Sequence, residues 1–229
     1  MSSVPKLYMF SISPSCQRVF ATFANKGVAY DIVEIDISQS ERPAEFNQVS
    51  PFGKVPVLVH EGRVILESAN IIQYIDEFWP EPAMMPKEPA GRAYARQWMQ
   101  YADRELFDRD AQFVHIETEK DRKVAICHAL FDRLSLLDAE LAGKTGLFLG
   151  NELSLVDCML APTLANVPVW SGLIEDKTYA TYKNIQTYTE RLKQNQILKE
   201  CVFNVPVEVY EGFFSAVLVA GMTFPPKSK

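Results

Sequence analysis

An α/β N-terminal half followed by an all-helical C-terminal half is the fold class that this 229-residue chain predicts. Three observations carry the prediction. Short β-rich runs alternate with helical spacing up to Phe78, four prolines crowd the stretch between Trp79 and Gly91, and only long helical periods follow.

The first strand is the apolar run Lys6-Leu7-Tyr8-Met9-Phe10. After Pro14, the residues Val19, Phe20, Phe23 and Ala24 form an apolar stripe at helical spacing, with Gly27 as the stop. Tyr30-Asp31-Ile32-Val33-Glu34-Ile35 alternates and is rich in β-formers, so the first three elements make a β-α-β unit with parallel strands. A polar stretch from Asp36 to Val49, with a short helix near residues 44–47, leads into the strand-bearing run Ser50-Pro51-Phe52-Gly53-Lys54-Val55-Pro56-Val57-Leu58-Val59-His60. Glu61-Gly62-Arg63 then separates that strand from Val64-Ile65-Leu66, a hairpin signal. Ser68 is placed to cap a helix carrying Ile71, Ile72, Tyr74, Ile75 and Phe78.

Pro80, Pro82, Pro86 and Pro89 exclude a regular helix and mark a stiff connector. The predicted division is residues 1–79, a linker at 80–89, and a helical domain at 90–229. Within that domain the pattern predicts helices over 90–115, 120–141, 154–164 and 179–195. Ser154-Leu155-Val156-Asp157 is a capping box: Ser154 accepts the Asp157 amide proton and the Asp157 carboxylate answers the Ser154 amide.

Composition narrows the function classes. A net charge of −6 disfavours nucleic acid as a partner, because such proteins carry basic patches that displace counterions. No apolar run is long enough to span a membrane, and the first residues lack a secretory pattern, so a cytoplasmic location is expected. Cys16, Cys127, Cys158 and Cys201 are widely spaced, as are His60, His115 and His128, so neither a disulfide framework nor a metal site is expected.

The chemistry-bearing segment is Ser11-Ile12-Ser13-Pro14-Ser15-Cys16-Gln17-Arg18-Val19, where hydroxyls and one thiol stand at a strand-to-helix junction. Free amides and the positive end of the helix dipole favour an anion there, and a thiolate would be stabilised without a metal. The thiolate belongs either to a ligand or to Cys16 itself.

Four segments in order resemble the glutathione transferase superfamily: residues 13–19, Pro51-Phe52-Gly53-Lys54-Val55-Pro56-Val57-Leu58, the run 66–75 beginning Leu66-Glu67-Ser68, and Ser154-Leu155-Val156-Asp157. The features are serine-type, with tau-, omega- and zeta-like traits and a similarity to bacterial stringent-starvation proteins at residues 154–162. This resemblance implies a thioredoxin-like N-terminal domain, an all-α C-terminal domain, a homodimer, glutathione as co-substrate and no prosthetic group.

It also implies site roles. Ser13 takes the activator position, donating to the glutathione sulfur. Glu67 and Ser68 meet the γ-glutamyl ammonium and carboxylate, Val55 before a cis Pro56 pairs with the cysteinyl backbone, and Lys54 meets the glycine carboxylate, with Arg42 as a second cation. Ser11 is a rival activator. Members with a leading cysteine reduce disulfides or dehydroascorbate, whereas here serine comes first and cysteine second.

The implied function is conjugation of glutathione thiolate to a small hydrophobic electrophile. The alternatives are a glutathione-dependent isomerase, a thiol transferase or dehydroascorbate-type reductase using Cys16, and a non-catalytic regulatory binding protein of the stringent-starvation type. The electrophile is expected between the domains near Phe10, Ile12, Arg104, Phe107, Ala111 and His115, with Tyr210-Glu211-Gly212-Phe213-Phe214 as a cover.

Overall fold

The computed structural model describes residues 3–219 except Ser38, Ser40 and Ile116, and leaves out the side chains of Asp110, Gln112, Val114, His115 and Val219. In the first half β1 (Lys6–Met9), α1 (Pro14–Lys26) and β2 (Asp31–Glu34) form the β-α-β unit. Then come α2 (Ala44–Val49), the hairpin β3 (Val57–His60) and β4 (Arg63–Leu66), and α3 (Ser68–Phe78). The sheet order is β2-β1-β3-β4, with β1 parallel to β2 and antiparallel to β3. Leu7 faces Ile32 across one pairing and Leu58 across the other, which centres the apolar run of β1 in the sheet.

Turn chemistry explains the joins. Gly27 ends α1 in the left-handed conformation at φ 63°, its amide bonded to the Ala24 carbonyl. Glu61 and Gly62, at φ 49° and 68°, form the two-residue hairpin loop, so Arg63 belongs to β4 rather than to the loop.

The second half holds α4 (Pro89–Tyr101), a π-helical stretch Ala102–Phe107, α5 (Asp108–His115), α6 (Lys120–Leu141) and α7 (Leu155–Leu173). A 3₁₀ turn Thr178–Thr181 precedes α8 (Lys183–Gln194), α9 (Gln196–Cys201) and α10 (Val207–Val219). Pro89 occupies the first turn of α4, where its missing N–H costs nothing.

Three helix expectations are corrected. The helix expected over 90–115 is interrupted by the π stretch, whose wider turn inserts an extra residue. The helix expected to end at 164 runs to Leu173 through Pro162 and Pro168. It is buried on nearly every face, so packing outweighs the backbone hydrogen bonds lost at the prolines. The helix expected over 179–195 begins as a 3₁₀ turn, and α9 and α10 follow it.

One hydrophobic cluster joins the halves: Leu7, Val19, Phe23, Ile71 and Ile75 pack with Trp98, Val156, Leu160 and Leu164. A smaller cluster of Tyr8, Ile35, Phe46 and Val57 lies on the opposite sheet face, beneath α2. Helix α1 is therefore packed against both α3 and α7, and its N-terminus is held in place from both halves.

Candidate active site at the start of helix α1

Ser13 stands at the N-cap of α1 in an extended conformation, φ −72° and ψ 124°, with Pro14 as the first helical residue. Its side chain makes no capping bond, because the amides of Cys16 and Gln17 reach its backbone carbonyl at 2.9 and 3.0 Å. The half-buried Ser13 hydroxyl instead meets Ser15 Oγ at 2.9 Å. Ser15 Oγ in turn donates to the Val55 carbonyl at 3.2 Å. The bond between Val55 and Pro56 is cis. Two distant segments are thus joined through two hydroxyls.

The other candidates at this junction go elsewhere. Ser11 donates through both its amide and its hydroxyl to Glu34 Oε1, at 2.9 and 3.1 Å, which turns it toward β2. Cys16 is fully buried in the main core. Burial pushes its thiol up to about 12, against weaker opposing bonds from the Phe10 amide and the Ser13 and Ser15 hydroxyls. A thiol held there is protonated at neutral pH and packs as a small apolar group, which weighs against Cys16 as a nucleophile.

At the start of α3, Glu67 is the N-cap, not Ser68 as the sequence suggests. The Glu67 carbonyl accepts the Asn70 and Ile71 amides at 2.9 and 2.8 Å, so the helix begins one residue earlier than a Ser68 cap would allow. Glu67 is exposed and held at φ 68°, a conformation that costs a non-glycine residue about 1–3 kcal/mol. The buried Ser68 hydroxyl accepts from Arg18 Nη1 at 3.2 Å, keeping its own proton available.

Arg18 is the organising residue that sequence reasoning missed. Fully buried on α1, it also donates to Asp103 Oδ1 at 2.6 Å, and its guanidinium lies 4.3 Å from the Phe107 ring centroid. Both partners sit on the π stretch, so one side chain ties Ser68 to the helical half. Its signal in the sequence is a charge on the apolar side of a helix, directly before Val19. Ser15 was also passed over, since a serine beside a proline reads as ordinary helix-start chemistry.

The cations divide. Burial and the neighbouring Asp103 raise the Asp108 carboxyl, against the weaker pull of Arg104, Arg18 and exposed Lys54. Arg42 does not join them. Its guanidinium bonds the Gly53 carbonyl and, at 3.3 Å, the Ile37 carbonyl, bracing the loop before Val55. Two of its donors thus meet local carbonyls.

Among the expected second-substrate residues, Phe10, Ile12, Phe107 and Ala111 are half-buried and Arg104 is exposed, while the His115 side chain lies outside the described residues. The tail forms α10, and Tyr210 receives Gln17 Nε2 at 2.8 Å, one turn beyond Ser13 on α1. Tyr210 and Phe214 are buried, Phe214 against Trp170, so this segment packs into the helical domain. Among the described residues, no helix is long and apolar enough to cross a membrane. None of their His, Cys, Asp or Glu side chains forms a group of three or more able to hold a metal.

Comparison with known proteins agrees with this arrangement. The family described as glutathione S-transferase, N-terminal domain, matches residues 7–83, and glutathione S-transferase, C-terminal domain, matches residues 117–191. Glutathione S-transferase U7 of Arabidopsis thaliana is 32% identical over 205 residues, covering 86% of each chain. Glutathione S-transferase U4 of the same plant is 30% identical over 202 residues, covering 86% of this chain and 88% of its own. A rice glutathione S-transferase solved in complex with glutathione superposes with a TM-score of 0.81 at 25% identity, over 95% of this chain and 97% of its own. Matched at both domains and over most of its length, the chain belongs to the glutathione S-transferase family.

Proposed function

We propose that this glutathione transferase conjugates the glutathione thiolate to a small hydrophobic electrophile, with Ser13 as the activating hydroxyl. The observation that carries the reading is that Ser13 stands at a helix N-terminus yet is released from capping. Its hydroxyl is not tied to a helix amide and can turn from Ser15 to a sulfur anion, and the α1 dipole favours the same charge. The glutathione thiol loses its proton to solvent and the Ser13 O–H donates to the resulting thiolate. The sulfur then attacks the electrophilic carbon, forming a C–S bond while the leaving group departs with its electron pair.

The tripeptide is held by groups already in position. The free amides at the start of α3 and the Ser68 hydroxyl suit the γ-glutamyl carboxylate, and the exposed Glu67 carboxylate suits its ammonium. The Val55 main chain, outside the β3 ladder, suits the cysteinyl backbone, and Lys54 suits the glycine carboxylate. Glutathione is the co-substrate and no prosthetic group is required. The protein acts as a cytoplasmic homodimer in detoxification.

Retention on immobilised glutathione, followed by conjugation assays with an aryl halide, tests the reading. Wild type is retained and active, and Ser13→Ala is retained with its conjugation largely lost. Failure of the wild type to bind glutathione at millimolar concentration would sink the proposal.

A further inference from the structure

The hydrogen-bond direction around Ser13 poses a difficulty that Ser15 resolves. Each hydroxyl has one proton to donate. While Ser15 donates to the Val55 carbonyl, its contact with Ser13 requires Ser13 to be the donor. In that arrangement the Ser13 proton points at Ser15 and away from the sulfur of a bound thiol. Activating a thiolate requires the chain to run the other way, with Ser15 donating to Ser13 and Ser13 donating outward. Ser15 must then release Val55, whose carbonyl would be left unpaired unless another donor took it.

We propose that Ser15 is a positioning residue whose hydroxyl switches its proton from Val55 to Ser13 when the cysteinyl N–H of glutathione occupies the Val55 carbonyl. Binding of the tripeptide main chain then itself turns the Ser13 proton toward the sulfur. Only two hydroxyl rotors move, because the backbone is pinned: the Ser13 amide bonds the Phe10 carbonyl at 3.0 Å and the Cys16 amide bonds the Ser13 carbonyl at 2.9 Å. Ser15 is 8% exposed, so bulk water offers its hydroxyl little alternative. After the switch the Val55 carbonyl and both serine protons have partners, and each hydroxyl in the chain polarises the next. Neither serine is deprotonated. Among the described residues, the titratable groups seen to act here are Cys16 from α1 and Glu34 from β2, and burial keeps Cys16 protonated up to about 12. This inference rests on the roles proposed above for Ser13 and Val55.

The experiment is a pH titration of the thiolate ultraviolet absorbance of enzyme-bound glutathione in wild type, Ser13→Ala, Ser15→Ala and Ser15→Thr. In Ser15→Ala the thiol pKa rises by about half to one pH unit, leaving roughly three- to tenfold less thiolate below both values. Its kcat falls accordingly at mildly acidic pH and recovers in alkali, its glutathione KM stays within about twofold of wild type, and Ser15→Thr restores the wild-type profile. Glutathione methylated on the cysteinyl nitrogen provides a second probe: bound to wild type, its thiol behaves as it does in Ser15→Ala. An unchanged or lowered thiol pKa in Ser15→Ala overturns the switch, since Ser15 would then be only a competing acceptor. If Ser13→Ala raises the pKa in that case, the activator reading survives. If neither variant changes it, both fall.

Discussion

Ser13 and Ser154 occupy the same position at the starts of two helices and have opposite fates. Ser154, 4% exposed, closes a capping box: its Oγ accepts the Asp157 amide at 3.4 Å and its amide donates to Asp157 Oδ2 at 2.9 Å. Asp157 also takes the Phe148 amide at 2.8 Å and the Tyr188 hydroxyl at 2.5 Å. Burial pushes its carboxyl up while these bonds pull it down. Ser13 has no acidic residue in the following turn, and Pro14 removes one amide. The lesson is that a reciprocal cap commits a serine hydroxyl to the fold, whereas a helix start whose third amide goes to the cap carbonyl, as the Cys16 amide does, leaves the hydroxyl to other partners.

Substitutions can break this contrast at either end. The largest effect is expected from Asp157→Ala, which strands four buried donors, the Phe148 and Ser154 amides and the Ser154 and Tyr188 hydroxyls, and removes the box. Chemical denaturation should show a loss of about 3 kcal/mol, with glutathione affinity unchanged in the fraction that folds. Next, Ser13→Ala should lower kcat/KM for conjugation by roughly 100-fold, the scale of losing one hydrogen bond to a reacting anion. Its stability should change by less than about 0.5 kcal/mol, because no cap is lost. A large drop in its thermal midpoint would erase the contrast.

Ser154→Ala should do the reverse, costing about 1 kcal/mol in denaturation and leaving the per-site conjugation rate intact. The smallest effect concerns Cys16. Its pKa is raised to about 12 and that of half-buried Cys201 to about 11, and a raised thiol pKa makes thiolate scarcer at any lower pH. Iodoacetamide should therefore label Cys201 before Cys16 in the native protein, faster as pH rises, and Cys16→Ala should conjugate as wild type does.

Legibility followed the range of the interaction. The strands, Gly27, the hairpin and the Ser154 box depend on neighbours within a few residues, and each was readable from local pattern. The extension of α7 through Pro162 and Pro168 was not, because what holds those turns is burial among helices distant in sequence. The π stretch escaped detection for a related reason: Asp103 and Phe107 lie along an ordinary helical period, and only the partnership with Arg18 shows what the wider turn carries.

By itself the sequence determined the order of elements and the strand-to-helix junction, since propensity, capping and turn chemistry act over a few residues. It also brought Ser13, Val55, Glu67 and Ser68 into view as a group through their motifs. Tertiary structure decided what each polar side chain meets. Ser11 is claimed by Glu34, Ser15 by Val55, Arg42 by Gly53, and Cys16 by the core. Each outcome depends on which acceptor or apolar surface arrives from a distant part of the chain, and the direction of a hydrogen bond is set only when both partners are in place.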